Sequence, residues 1–283
     1  MAQVIKIQMS GRLGNQLFQW AYAHQLVQEF NTKVVLTYDS RNYQNLIDVI
    51  PKPDCCSDIK TVRDEGLGLA IKIIDKVQIS ENIFVKKWLF SQSNPYILPN
   101  FEKAPKVVRG YFTTGNVIDS IQQHLCSSLN NWVDNAVPFS QENLNIQSEL
   151  SNYQVMHIRR GDFLNYKDSL GTLGVGYYQK HRNWDLPLVL VTDAENELPE
   201  FSTILRPSAV FHSRNSTIYD SINWVRNANS AILSNSTFAW WAGLLCWSNG
   251  GEVSLPNPFY KKDLLVNDSF GIPEFKRISS EFD

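Results

Sequence analysis

Apolar and polar residues alternate over Val4-Ile5-Lys6-Ile7-Gln8-Met9, and the period then changes. After Ser10-Gly11-Arg12-Leu13-Gly14-Asn15-Gln16, the residues Phe18, Tyr22, Leu26 and Phe30 recur in steps of four, with Leu17 and Ala21 alongside. That spacing predicts a helix. A second β-like run, Lys33-Val34-Val35-Leu36-Thr37-Tyr38, follows it. Strand, glycine turn, helix and strand in this order predict a βαβ unit with a right-handed crossover.

Residues 51–105 carry Pro51, Pro53, Pro95, Pro99 and Pro105 among short apolar runs, and their pattern predicts no topology. Val107 to Phe112 reads as a further strand, with a helix over roughly 116–129. The polar stretch Ser140 to Asn145 reads as a linker, after which the pattern restarts. Strands are expected at Tyr153 to Arg159, Leu188 to Thr192, Val210 to His212, Ala231 to Ser234 and Glu252 to Leu255. Helices fall between them, including Tyr219 to Asn227 and Thr237 to Trp247. Two successive βα lobes predict an α/β protein of two Rossmann-like domains facing each other across a cleft, residues 1–145 and 146–283.

Composition narrows the partners. The 283 residues are 43% hydrophobic and 19% charged, an ordinary globular balance, and the formal net charge is -2. No broad basic surface points to nucleic acid or to an anionic membrane, so any positive charge that matters is local. The N-terminus lacks a basic leader, and no window approaches the roughly 18 to 20 apolar residues of a membrane span. Cys55, Cys56, Cys126 and Cys246 form no CxxC pair. The expectation is a cytoplasmic, reduced protein whose membrane contact, if any, is peripheral.

Local charge is concentrated in His157-Ile158-Arg159-Arg160-Gly161-Asp162-Phe163. Alternation puts Val155, His157 and Arg159 on one strand face and Met156, Ile158 and Arg160 on the other. Arg159 at a carboxyl end offers a fork of donors suited to diphosphate oxygens, while Arg160 is placed to anchor a carboxylate. A plain salt bridge is the alternative for the pair, and taken alone it is the commoner outcome. In Ser234-Asn235-Ser236-Thr237-Phe238, the hydroxyls of Ser236 and Thr237 suit either a simple N-cap or an anion site at a helix N-terminus. The helix that follows, with Phe238, Trp240, Trp241, Leu244, Leu245 and Trp247, is apolar nearly all round and should be buried. Gly11-Arg12-Leu13-Gly14-Asn15-Gln16 is either a plain strand-to-helix turn or a close backbone approach to a ligand, with Arg12 and Asn15 facing it. Leu188 to Asp193 is a buried strand ending in Thr192-Asp193. Asp220 opens a helix as a dipole partner or as an acceptor for a guanine edge.

The chain has no Asp-x-Asp, HExxH, GxSxG or Walker motif, and its histidines lack metal-ligand spacing. A diphosphate site here would draw its positive charge from arginine and a helix dipole.

Together, GRLGNQLFQWAYA, HIRRGDF and SNSTFAWWAGLL resemble the α-1,2-fucosyltransferase family, especially its short bacterial members, in order and spacing over roughly residues 4–260. Gly174-Val175-Gly176-Tyr177-Tyr178 is also similar to the family's stretch before a helix. The resemblance implies a GT-B fold, GDP-L-fucose as co-substrate, and a galactose-terminated oligosaccharide or lipid-linked glycan such as an O-antigen unit as acceptor. It implies inverting transfer to the galactose 2-hydroxyl without metal or other cofactor. By the same resemblance Arg159 is the diphosphate contact, His157 lines the guanosine side, and Asn15, beside Gly14, faces the reacting centre. Asp220, 16 residues before the phosphate-binding Ser236, becomes the guanine reader. Arg12, Gly14, Arg160, Thr192, Asp193, Asn235, Thr237 and Phe238 complete the expected donor-binding set. Asp162 is the nearest acidic candidate for a general base. The chain departs from the family at Arg12, where many bacterial members have glycine, at Trp20, where tyrosine is common, and after Asp193, where a second acidic residue is missing. Other linkages, other GDP-sugars, and a non-catalytic nucleotide-sugar or glycan-binding protein are the alternatives.

Overall fold

The computed structural model describes residues 4–38, 59–63, 107–113, 122–136, 139–262 and 270–283. The chain divides into two compact units, Met1–Leu125 and Cys126–Asp283. Cys55, Cys56 and most of the proline-punctuated stretch 51–105 lie outside the described residues.

In the N-terminal unit, β1 (Val4–Gln8), α1 (Leu13–Phe30), β2 (Lys33–Tyr38), β3 (Ile59–Arg63) and β4 (Val107–Arg109) build a parallel sheet in the order β3-β2-β1-β4. Ile5 pairs in register with Val34, and Ile7 with Leu36 and Val108, and all five side chains are fully buried. The alternation read in β1 is therefore the pleat of a strand with one covered face. Helix α1 starts and stops where its spacing predicts, but its burial is wider than one stripe. Gln16, Gln19 and His24 are buried along with Phe18, Tyr22 and Leu26. Asn31 in the left-handed conformation ends it.

The C-terminal unit begins within α2 (Gln122–Ala136), earlier than the boundary at 145/146 expected from polarity. The reason is a set of contacts to α6 (Ile218–Arg226). Arg226 donates to Asn130 at 3.0 Å and pairs with Asp134, and Trp132 meets Tyr219 edge-on. The expected linker is also a helix, α3 (Gln141–Leu150), with Ser140 accepting the Asn143 amide at 3.1 Å as its N-cap. None of its residues is buried, so no apolar stripe marked it in the sequence.

After α3 come β5 (Gln154–Ile158), a 3-10 turn (Gly161–Tyr166), α4 (Val175–Lys180), β6 (Leu188–Thr192), α5 (Leu198–Leu205), β7 (Ala209–His212) and α6. Then follow β8 (Ser230–Ile232), α7 (Thr237–Ser248), β9 (Glu252–Asn257) and β10 (Lys276–Ser279). All sheet pairings are parallel, in the order β10-β9-β8-β5-β6-β7. Every residue of β5 and β6 is buried, as expected for central parallel strands covered on both faces. Met156, Ile158, Tyr177, Tyr178, Leu190 and Phe201 form one core, and Trp224 is fully buried with its ring stacked 4.3 Å from Phe211. Among the described residues, no helix is long and apolar enough to cross a membrane.

The chain runs from β5 outward through β6 to β7, then returns to the far side of β5 as β8. The sheet thus reverses between β5 and β8, the crevice where open α/β sheets bind ligands at the strands' carboxyl ends. The N-terminal sheet reverses in the same way between β1 and β4.

Helix α7 is buried along most of its length and packs closely on the chain after β8. A Cβ placed on Gly243 would lie 2.4 Å from Leu233 Cδ1 and 3.2 Å from Val253 Cγ1. Helix propensity alone would favour Gly243→Ala by about 1 kcal/mol. Overpacking a tight core costs about 1–3 kcal/mol and should win. Chemical denaturation is expected to show a net loss for Gly243→Ala, and a smaller loss for the same change when it is made in a Leu233→Ala background.

Candidate active site

Strand β5 ends at Ile158, and the next residues carry the expected chemistry. The alternation holds. Arg160 lies with its guanidinium over the Phe201 ring, on the side of the Met156 and Ile158 core, while His157 reaches the other way to Ser234. His157 Nδ1 and Ser234 Oγ are 2.9 Å apart, and the imidazole lies 6.0 Å from the Phe238 ring. That contact spans the crevice between β5 and the chain leaving β8.

Two tyrosines of α4 fix the same two strand ends. Tyr178 donates its hydroxyl to the His157 carbonyl, and Tyr177 to the Leu233 carbonyl, each at 3.0 Å. Burial raises the pKa of both phenols, so they remain donors. Tyr177 and Tyr178 stand in a motif quoted from the sequence without a role, and here they fasten the chain at the ends of β5 and β8 to α4.

Arg159 is partly exposed and held by two carboxylates. One η nitrogen donates to Asp193 Oδ2, the other to Asp162 Oδ1, and the guanidinium carbon sits 5.5 Å from the Phe163 ring centre. Asp193 also accepts the Arg160 backbone N–H at 2.6 Å. Its carboxylate fills the space a side chain at residue 161 would need, since a Cβ on Gly161 would meet Oδ2 at 2.4 Å. The salt bridge weighed against the phosphate contact is therefore present. Asp162, expected as a base, is a partner of Arg159 here.

Arg160 has a different environment. It donates to Asp283, to Glu197 at 3.3 Å and to the Leu173 carbonyl at 3.3 Å. Burial opposes its charge, but Asp283 and Glu197 outweigh that and raise its pKa. Arg160, expected in the donor-binding set and placed to anchor a carboxylate, here makes anchoring contacts, because alternation turns it toward the core. Two guanidiniums face four carboxylates at this strand end, Asp162, Asp193, Glu197 and Asp283.

Asn235, Ser236, Thr237 and Phe238 lead into α7. Ser236 is its N-cap by backbone geometry, yet its side chain makes no capping hydrogen bond. The plain N-cap role is therefore not what Ser236 does. Asn235 is fully buried and donates to the carbonyls of Leu170 and Gly171 at 2.9 and 3.0 Å, fastening the loop from below rather than offering an exposed amide. Thr192 Oγ1 accepts the Ala194 N–H at 2.9 Å, closing the turn after β6.

Asp220 forms a capping box at the start of α6. Its Oδ2 accepts from the N–H and hydroxyl of Thr217, both at 2.8 Å, and its Oδ1 accepts from Asn143 Nδ2 at 3.2 Å. Asp220 thus sits in the first helical turn, as a dipole partner would, and in addition caps the helix.

In the N-terminal unit, Arg12 is exposed at the start of α1, Gly14 is buried and Asn15 is partly buried. Their loop is fastened by glutamines the sequence analysis did not single out. Gln16 Nε2 donates to the Gly11 carbonyl at 2.9 Å. Gln19, fully buried, accepts the Ser10 N–H at 3.0 Å and donates to the Gly110 carbonyl at 2.7 Å, joining the chain beyond β1 to that beyond β4.

No protein-family model matches the chain, and no curated protein matches it in sequence. Solved structures do match in shape. The fucosyltransferase NodZ from Bradyrhizobium aligns with a TM-score of 0.51 at 11% identity, over 87% of this chain and 93% of that one. NodZ α-1,6-fucosyltransferase co-crystallized with GDP gives 0.50 at 13% identity over the same shares. The E. coli heptosyltransferase WaaC with ADP covers 98% of this chain and 93% of its own at 8% identity, with a TM-score of 0.47. The fold is of the GT-B type. At such identities the likeness is one of fold, and it agrees with the α/β class expected from the sequence.

Burial, and then the neighbouring Arg159 charge, push the His157 imidazole down to about 3 from its ordinary 6.5. A histidine neutral when folded but protonated when unfolded makes stability fall as pH drops below about 6.5, at up to about 1.4 kcal/mol per pH unit until about 3. Thermal melts of His157→Gln across pH 4–8 should therefore show a flatter acid limb than the unaltered protein. A difference that does not change with pH would show that His157 titrates alike in both states.

Proposed function

We propose that the protein is a glycosyltransferase that moves L-fucose from GDP-β-L-fucose to the 2-hydroxyl of a galactose residue in a glycan, with inversion. The observation that carries the proposal is the position of Arg159. It stands at the carboxyl end of β5, beside the reversal point of the sheet, on the strand that His157 ties to the Ser234–Phe238 loop. A diphosphate there would meet a forked guanidinium and the N-terminus of α7, two sources of positive potential needing no rearrangement of the core. As the fucosyl–oxygen bond breaks, negative charge grows on the leaving phosphate, and fixed donors lower the barrier by stabilising it.

The remaining assignments follow from the motifs. Ser236 and Thr237 would supply hydroxyls to the phosphates, with Phe238 and Thr192 lining the crevice. Asp220 would read guanine only if the base replaced Thr217 or Asn143 as its partner. Asp162 would serve as base for the acceptor hydroxyl once released from Arg159. The motifs also assign Arg12, Gly14 and Asn15 to donor binding and reaction. NodZ is named an α-1,6-fucosyltransferase, so the α-1,2 linkage rests on the sequence motifs, and another linkage is the second reading.

Direct transfer assays with GDP-fucose and a panel of galactosides test this. Turnover should fall about 100- to 1000-fold in Arg159→Ala, the range for losing one preorganised donor to a developing oxyanion. Arg159→Lys should recover little, because an ammonium lacks the fork. Product NMR should place fucose on the galactose 2-position, and a different position would replace the linkage while keeping the enzyme class. Binding of GDP-fucose with neither transfer nor hydrolysis would leave a binding protein instead.

A further inference from the structure

We infer that Asp193 is the positioning residue of Arg159, and that Asp162 is its exchangeable partner, the carboxylate a diphosphate displaces. This rests on the diphosphate role given to Arg159 above. The two aspartates look equivalent from the guanidinium, each taking one η nitrogen, but their surroundings differ.

Asp193 grips two points at once, the Arg159 side chain and the Arg160 N–H. Its side chain is 12% exposed, against 30% for Asp162. It also occupies the volume left by the missing Cβ of Gly161. Moving it would break a backbone contact and open a gap. Asp162 sits on the short 3-10 turn three residues after Arg159, where water can take over its carboxylate.

Donor availability favours the same division. Engaged by both carboxylates, Arg159 offers a diphosphate neither free η nitrogen, whereas an Arg159 held by Asp193 and released by Asp162 keeps the Nη2 edge open. Asp193 then holds the guanidinium at the crevice while Asp162 gives way. Donor binding and release of the Asp162 carboxylate become a single exchange.

Calorimetric binding of GDP and of inorganic pyrophosphate to the full chain decides the matter. Asp162→Asn should bind both probes roughly 3- to 10-fold more tightly, the scale of exchanging a partly exposed charge-assisted pair. In an Arg159→Gln background the same substitution should change binding less than about 2-fold, because the competition runs through the arginine. Asp193→Asn should weaken binding several-fold, although it too removes a negative charge. Equal tightening by Asp162→Asn in both backgrounds would reduce the effect to repulsion and overturn the inference while leaving the diphosphate role standing. Tighter binding by Asp193→Asn would do the same. Should that variant fail to fold, the Asp162 and Arg159 cycle decides by itself. Absence of binding of either probe to the unaltered protein would remove the diphosphate role, and the exchange with it.

Discussion

The Asp193 carboxylate is the point on which the candidate site turns. One oxygen takes the Arg160 backbone, the other the Arg159 side chain, and the glycine between that arginine pair and Asp162 leaves room for both. β5 and β6 are parallel neighbours in register from Gln154–Leu188 to Ile158–Thr192, so Asp193 emerges beside the arginines without any loop having to carry it there. The sheet's hydrogen bonding thus sets the geometry of a charge cluster just beyond its edge. Precision of this kind is available on rigid elements and hard to obtain on loops.

Each unit shows the same solution to a second problem. A sheet that reverses leaves a crevice between two carboxyl ends, and a crevice useful to a ligand must not collapse or splay. In the C-terminal unit His157, Tyr177 and Tyr178 tie the ends of β5 and β8 through hydrogen bonds of 2.9 to 3.0 Å. In the N-terminal unit the fully buried Gln19 joins Ser10 to Gly110. Buried polar groups of this sort are costly unless satisfied, and once satisfied they specify a single arrangement. Their placement at the reversal points, rather than in the strand middles, links fold specificity to the position of the candidate site.

How much of this was legible follows from the range of each signal. Strand and helix periods are local, so β1, α1, β5, β6, α6 and α7 are close to where the apolar pattern predicts them. Strand alternation separates Arg159 from Arg160, because pleating is a two-residue property. What it missed was long-range or polar. Asp283 lies 123 residues from Arg160, and no spacing in the chain announces their contact. α3 has no buried residue, so a polar helix looked like a linker. Asp220 opens its helix as the pattern predicts and caps it locally with Thr217, but its contact with Asn143 depends on a second helix meeting it.

The two adjacent arginines show why identical charge need not mean identical purpose. Arg160 is 8% exposed and balanced by Glu197 and Asp283, with a core phenylalanine beneath it. Its guanidinium is largely buried, so losing a carboxylate partner leaves a desolvated charge short of compensation and ties Arg160 to the stability of the fold. The Arg159 side chain is 20% exposed against 9% for Arg160, so water or a competing anion can reach its pair with Asp162. A group that must exchange partners cannot also be one whose partners hold the fold together. Strand alternation resolves the conflict by putting one arginine on each side of β5, so that the anchored charge steadies the backbone from which the exchangeable one projects.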